Sequence, residues 1–219
     1  MAYDIEVKLY KKYLPELREF FTLRSNFTDL AKSRVDRALK GLLDEGQKPV
    51  LVGVHVRRTD YKGILRTFHK TKPLETEYFT KAMDYYRTKY NRSGTKVLFL
   101  VTSDEMAWVR QYLVGQNQDI IPIGTHGDRA FEEAYGYNGS VGTDLAVLVS
   151  CDHMIMTYGT FGVWAGLLAG GEVLMADEYG AQGSAKDIPG EVEDMKLADL
   201  PGWKFLSTKT WEIKGRDLI

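Results

Sequence analysis

The chain has 219 residues, 44% hydrophobic and 27% charged, and its 29 lysines and arginines stand against 30 aspartates and glutamates. This supports a packed core of one domain or a domain with an appendage and excludes a largely disordered chain. The charge balance supplies no global field for nucleic acid or an acidic membrane face, so any basic site is local.

The opening MAYDIEVKLYKKYL has no basic segment followed by an apolar one and reads as neither signal peptide nor anchor. Residues 3–43 carry a helical pattern, with Leu30, Val35, Ala38, Leu39 and Leu42 at three- and four-residue steps, Thr28 or Asp29 placed to cap the second helix, and Gly46 and Pro49 ending it. VLVGVHV (50–56) is a continuous β-branched run, suited to a strand buried on both faces of a parallel sheet. ETEYFTKAMDYYRTKY (75–90) places Tyr78, Phe79, Ala82, Met83, Tyr86 and Tyr90 on one helical face, as a core stripe.

KVLFLVT (96–102) reads as a second buried strand, DEMAWVRQYL (104–113) as a helix, DIIPIG (119–124) as a third strand and TDLAVLVSC (143–151) as another helix. HMIMT, FGVWAGLLAG and EVLMAD repeat the alternation, and the text beyond Asp177 reads as loop plus a weak terminal strand near Trp211. Cys151, the one cysteine, lies in an apolar run as a small buried hydrophobe and excludes an internal disulfide. The apolar stretches 145–151 and 161–169 fall well short of the roughly 18 apolar residues of a membrane-spanning helix. About five strands alternating with helices give an α/β fold with a parallel sheet wound by right-handed crossovers, and such sheets bind ligands beyond the carboxyl ends of their strands.

Three segments fall at that edge. His55-Val56-Arg57-Arg58-Thr59-Asp60 presents a histidine, two guanidiniums and a carboxylate in one short stretch. Guanidinium stays charged at any working pH and offers paired planar donors that match phosphate oxygens. Strand alternation lets only one of the two arginines meet a ligand readily; Arg57 is taken as that residue, and Arg58 is expected to bond Asp60 and hold the loop. Thr157-Tyr158-Gly159-Thr160-Phe161-Gly162 gathers hydroxyls and amides at a helix amino terminus, either an ordinary cap by Thr160 or an anion site. Asp144 either caps a helix starting at Leu145 or accepts from the N1–H and exocyclic amine of guanine, and Ser103 and Asp104 read as an N-cap of little chemical weight. No D-x-D, H-x-x-x-H, paired cysteines or phosphate-loop signature occurs, so a bound metal has no obvious ligand set and arginine must neutralise any diphosphate.

GVHVRRTDY (53–61), FLVTSDEMAWVRQYL (99–113) and the run 144–171 occur in the order and spacing of the motifs of the animal galactoside α-1,2-fucosyltransferases, a family this chain resembles over roughly residues 10–180. The resemblance implies the donor-binding half of a two-domain GT-B-like enzyme. On this view residues 1–48 are a helical lead-in left from the acceptor-side region, since the family's glycine-rich segment has no counterpart here, and residues 49–219 are a Rossmann-like domain binding GDP-β-L-fucose. The implied reaction transfers fucose to a terminal galactose of a glycan with inversion and without metal, in the Golgi lumen, with neither nucleic acid nor membrane as a partner of this chain. Carried over by position, Arg57 contacts the donor β-phosphate and is the catalytic residue, His55 lines the nucleoside site, Asp144 lies near guanine, Thr157, Thr160 and Phe161 pass beside the phosphates, and Arg58 and Asp60 serve as supports. Asp60, His69, Asp128, Glu132 and Glu133 remain open as candidate bases. A nucleotide-sugar- or glycan-binding module without catalysis, or a different acceptor, is the alternative. Sequons at Asn26, Asn91 and Asn138 suit a lumenal protein.

Overall fold

The computed structural model describes residues 7–91, 94–115, 117–178 and 190–218. Its strands are β1 (Val50–Val56), β2 (Val97–Ser103), β3 (Ile120–Pro122), β4 (His153–Met156), β5 (Glu172–Ala176), β6 (Trp203–Leu206) and β7 (Ile213–Gly215). They form one seven-stranded sheet in the order β3-β2-β1-β4-β5-β6-β7. Neighbours are parallel except β6 with β7. The chain therefore winds outward from β1 through β2 to β3, returns to the other side of β1, and winds outward again from β4 to β6. At the β1/β4 boundary the crossovers leave in opposite directions, which opens a crevice at the strand carboxyl ends. This is a Rossmann-like α/β sheet.

The helices are α1 (Val7–Tyr10), α2 (Leu14–Phe20), α3 (Ser25–Leu39), α4 (Thr59–Ile64), α5 (Thr76–Asn91), α6 (Met106–Trp108), α7 (Arg129–Val149), α8 (Thr160–Ala169) and α9 (Gly190–Ala198). Helix α4 runs on into a π-helical turn at Leu65–His69, and α6 into another at Val109–Val114. On one face of the sheet Val52, Val54, Val56, Phe99 and Val101 pack with the α5 stripe. Tyr78, Phe79, Ala82, Met83 and Tyr86 of that stripe are at most 1% exposed, each large apolar side chain stabilising the fold by roughly 1.5–3 kcal/mol. The tyrosine hydroxyls are satisfied, Tyr78 donating to the Met156 carbonyl at 2.6 Å and Tyr86 to those of Met154 and Glu172 at 3.3 and 3.2 Å. The other face packs against α7 and α8 through Leu148, Met154, Met156, Val163 and Leu167. Helix α7 comes close to β1 here, because a Cβ on Gly53 would stand 3.1 Å from Leu148 and 3.3 Å from Cys151. Cys151 is buried in that contact, its thiol pushed up to about 12 by burial and by the neighbouring Asp152 charge.

The lead-in packs on the same layers, α3 against α7 and α1 against α9. Lys11 donates to the Ala198 carbonyl at 2.6 Å and Arg18 to that of Leu167 at 2.7 Å.

Several sequence boundaries shift. Helix α3 starts at Ser25, so Thr28 and Asp29 lie inside it and cap nothing; Thr28 instead donates to the Ser25 carbonyl. Helix α7 starts at Arg129, with Asp128 capping it through the Phe131 N–H, and bends at Gly136 (φ 72°, ψ 167°). The region beyond Asp177 is more regular than its text suggests: α9, the parallel strand β6 and the edge strand β7 complete the sheet, and Trp211 lies in the β6–β7 turn with φ 58°. Among the described residues, no helix is long and apolar enough to cross a membrane.

Candidate active site

A cavity of about 300 Å³ opens at the β1/β4 boundary, between the carboxyl ends of β1, β2 and β4 and the helices α7 and α8. Strand alternation decides which β1 residues reach it. Gly53, His55 and Arg57 face α7 and α8, whereas Val52, Val54, Val56 and Arg58 face α5.

The Arg57 guanidinium is held at both ends. Nη1 donates to Asp104 Oδ2 and Nη2 pairs with Asp60 Oδ1, each at 2.7 Å, and its side chain keeps 32% exposure to the cavity. The expected partner of Arg58 thus belongs to Arg57. Arg58 is turned to the opposite face, where it donates to the Leu74 carbonyl at 2.8 Å and to Glu105 at 3.1 Å and lies 3.8 Å over the Trp108 ring. Asp60 follows on α4, on the side Arg57 can reach and Arg58 cannot.

Asp104 organises this corner. The parallel register pairs Val56 with Ser103, so the next residues, Arg57 and Asp104, emerge side by side. Asp104 accepts from Arg57, from the Arg58 and Thr59 N–H groups at 2.9 and 3.1 Å, and from the Thr59 hydroxyl at 2.5 Å. Burial alone would raise its carboxyl, but the Thr59 hydroxyl, the Arg58 amide and the Arg57 charge outweigh it and hold it below the ordinary range. It is a full-time anion. Helix α6 begins only at Met106, so Asp104 is no helix cap, while Ser103 Oγ accepts from the Glu105 N–H at 2.9 Å.

His55 lies one strand pitch deeper and is 5% exposed, its ring 5.1 Å from that of Phe161. Its Nδ1 is buried with no protein partner and stands 2.9 Å from where a Cβ on Gly162 would be, so only glycine permits α8 to come this close. Burial, aided by Arg57 and opposed by Asp104, pushes the imidazole down to about 4, so it is neutral at neutral pH.

Helix α8 starts at the cavity. Gly159, not Thr160, occupies the N-cap position at φ 93°, a conformation suited to glycine, and a Cβ there would stand 3.3 Å from the Tyr61 hydroxyl. The Val163 N–H bonds back to the Gly159 carbonyl at 3.3 Å. The amides of the first turn ahead of it have no intrahelical acceptor, which together with the helix dipole favours an anion. Thr160 and Phe161 line the cavity, whereas Thr157 is buried beneath it, its hydroxyl accepting from the Arg57 N–H at 3.3 Å.

Asp144 lies in the body of α7 rather than at its start. Its Oδ1 accepts from the Thr125 N–H and hydroxyl at 2.7 and 2.8 Å. Burial raises its carboxyl above the ordinary value against the opposing pull of the Thr125 bonds, the His126 amide and the Arg34 charge. A carboxylate has about four acceptor sites, so Asp144 fixes the 125–126 loop and keeps capacity toward the cavity.

The cavity thus gathers His55, Arg57, Asp144, Thr160 and Phe161. Arg58 and Thr157 lie behind its wall. Of the candidate bases, Asp60 is bonded to Arg57, Asp128 caps α7 and Glu132 accepts from the Gly127 N–H at 2.9 Å; none of these, nor His69 or Glu133, lines the cavity. Sequence reasoning gave Asp104 little chemical weight, as an N-cap, and assigned no role to Tyr61, Tyr158, His126 and Tyr137, all of which line the cavity. Only Asp104 carried a usable signal, an acid leaving one strand where an arginine leaves its neighbour. Among the described residues no group of three or more His, Cys, Asp or Glu is placed to hold a metal ion.

A family model described as glycosyl transferase family 11 matches residues 1–203. The chain belongs to that family. This family 11 chain is 34% identical over 204 residues to galactoside alpha-(1,2)-fucosyltransferase 2 of Rattus norvegicus, covering 92% of this chain and 51% of that protein. Against galactoside 2-alpha-L-fucosyltransferase SEC1 of Bos taurus it is 32% identical over 203 residues, covering 92% of this chain and 50% of that protein. The chain spans about half the length of the curated relatives it matches. No solved structure matches it.

Proposed function

We propose that this family 11 chain is the donor-binding part of a galactoside α-1,2-fucosyltransferase, holding GDP-β-L-fucose and transferring fucose with inversion to a terminal galactose. The observation that carries the reading is the Arg57 guanidinium, fixed between Asp60 and Asp104 and sharing one cavity with the amino terminus of α8. Two unlike sources of positive potential converge there, as a diphosphate requires. Relatives at about one-third identity are named for the same transfer.

In this reading the acceptor oxygen forms a bond to fucosyl C1 as the bond from C1 to the β-phosphate oxygen breaks. The bonding pair leaves with GDP, and the proton leaves the acceptor hydroxyl. Negative charge grows on the β-phosphate while positive charge grows on the sugar. Donors already aimed at the phosphate lower that barrier without reorganising. Arg57 and the α8 amides meet the diphosphate, so we propose that no divalent cation is needed. Asp144 accepts from guanine, and neutral His55 lines the nucleoside. A Golgi lumenal setting belongs to the same proposal, supported by exposed Asn26 and Asn138 in their sequons; the Asn91 sequon extends outside the described residues.

Incubation with GDP-fucose and a β-galactoside, followed by NMR of the anomeric signal, tests the reading. It expects an α-1,2-linked fucose and GDP in equal amounts. Preferential use of UDP-sugars, or no binding of GDP, contradicts it.

A further inference from the structure

The cavity lining falls into two unlike groups. Arg57 and the α8 amides form an anion-seeking group. With Asp144 stand His126 and Tyr137, which have no role yet and whose ring centroids lie 5.6 Å apart at 75°. Tyr137 is 61% exposed although it borders a cavity, an unusual position for a large aromatic ring in a site sealed by its own packing. Two backbone features put it there. Gly136 takes φ 72° and ψ 167°, breaking α7 one residue before Tyr137, so the exposed turn ahead of it stands off the body of the helix. Asp144 binds the Thr125 N–H and hydroxyl and the His126 amide, fixing the loop that carries the imidazole. The two rings meet edge to face, and Tyr137 keeps most of its surface uncovered.

We propose that Tyr137, braced by His126, forms an aromatic wall on which the purine ring of the bound nucleotide stacks. The inference rests on the donor reading above and deepens it. A polyanion at one end and a planar aromatic group with N–H donors at the other describe a purine nucleoside diphosphate: phosphates at Arg57, ring on Tyr137, N–H edge toward Asp144. Sequence gave no hint of the wall, because Tyr137 sits in a tyrosine- and glycine-rich stretch, AYGYNG, whose periodicity is that of neither strand nor helix.

The test is calorimetric titration of GDP, and separately of inorganic pyrophosphate, into wild-type protein, Tyr137→Ala and Tyr137→Phe, with a melting curve for each. Removing a stacked aromatic should weaken GDP roughly 5- to 100-fold. Tyr137→Phe should stay within about twofold of wild type, since it keeps the ring face. Pyrophosphate affinity should be the same in all three, and the melting temperature of Tyr137→Ala should not fall, because the side chain is mostly exposed. GDP affinity indifferent to Tyr137→Ala overturns the wall alone, leaving the donor reading standing. Equal weakening of GDP and pyrophosphate also overturns it, because the defect is then not at the base. Wild-type protein that binds neither probe sinks the donor reading and the wall with it.

Discussion

The two edges of the parallel sheet both carry buried charge, and they use it in opposite ways. At the amino edge, Glu172 opens β5 at 1% exposure and pairs with Lys89 at 2.9 Å and Lys204 at 3.3 Å. Lys204 also binds Asp217 and the Tyr85 hydroxyl, each at 2.7 Å. His153 Nδ1 accepts from the Glu172 N–H at 3.1 Å while its Nε2 contacts the Tyr90 hydroxyl. Opposite charges close on one another there, and none of these side chains lines the cavity. At the carboxyl edge Arg57 is equally well held, yet its guanidinium still looks into open space. The difference lies in chain direction: every parallel strand delivers its following helix amino terminus first at the carboxyl edge, so helix dipoles add positive potential there and negative potential at the other. In the proposed reading the charge cluster at the carboxyl edge serves as an anion site because the backbone there agrees with it.

That contrast can be broken from either side. Glu172→Ala should be the largest structural lesion, because it removes the buried carboxylate that Lys89 and Lys204 share, although Lys204 keeps Asp217 and Lys89 keeps access to solvent; a loss of about 3 kcal/mol is expected. Denaturant melts would measure it, and GDP affinity of the folded fraction should stay at the wild-type value. A changed affinity would mean that the edges are coupled.

The next effect is pH. His55, with its folded value near 4 and an unfolded value near 6.5, is charged in the unfolded chain before it is charged in the folded one. Stability should be fully present above about 6.5 and decline as pH falls toward 4, by about 3 kcal/mol from this group. His153, also lowered by burial, acts in the same direction. Urea melts from pH 7.5 to 4 on wild type and His55→Gln should show a shallower decline in the variant; identical slopes would remove His55 from the account.

Asp104→Ala deletes the acceptor of the Arg58 and Thr59 amides and one of the two anchors of Arg57. A stability loss of about 2 kcal/mol is expected, with GDP bound at least tenfold more weakly. Asp104→Asn, which keeps an acceptor, should recover part of both. Arg58→Lys should be smallest: about 1 kcal/mol of stability, from loss of the paired bonds to Glu105 and Leu74 and the stacking on Trp108, with GDP affinity within twofold. A larger effect on affinity than on melting temperature would reverse the two faces assigned to β1.

Much of this was legible in the sequence because it depended on local pattern. The β1 run, the α5 stripe and the strand–helix alternation through β5 are periodicities, and the structure follows them. What escaped depended on neighbours in space. Asp104 becomes the partner of Arg57 only once β2 is known to lie beside β1 in register, and the same alternation that separates the two arginines could not say which acid each would find. The start of α7 was hidden because Gly136, Gly139 and Gly142 dilute its apolar stripe. The strand β6 was hidden because its Lys204 is buried by pairing with Glu172, 32 residues earlier in the chain, a partner no local window contains.

The central claim, that Arg57 and the α8 terminus form a metal-independent diphosphate site, is tested most directly by titrating GDP into wild-type and Arg57→Lys protein, each with and without chelator. The account predicts that wild-type affinity is unchanged by chelator, and that Arg57→Lys melts normally yet binds GDP at least tenfold more weakly, because lysine keeps the charge but loses the paired planar donors. GDP affinity that disappears in chelator, or that survives Arg57→Lys undiminished, would contradict it.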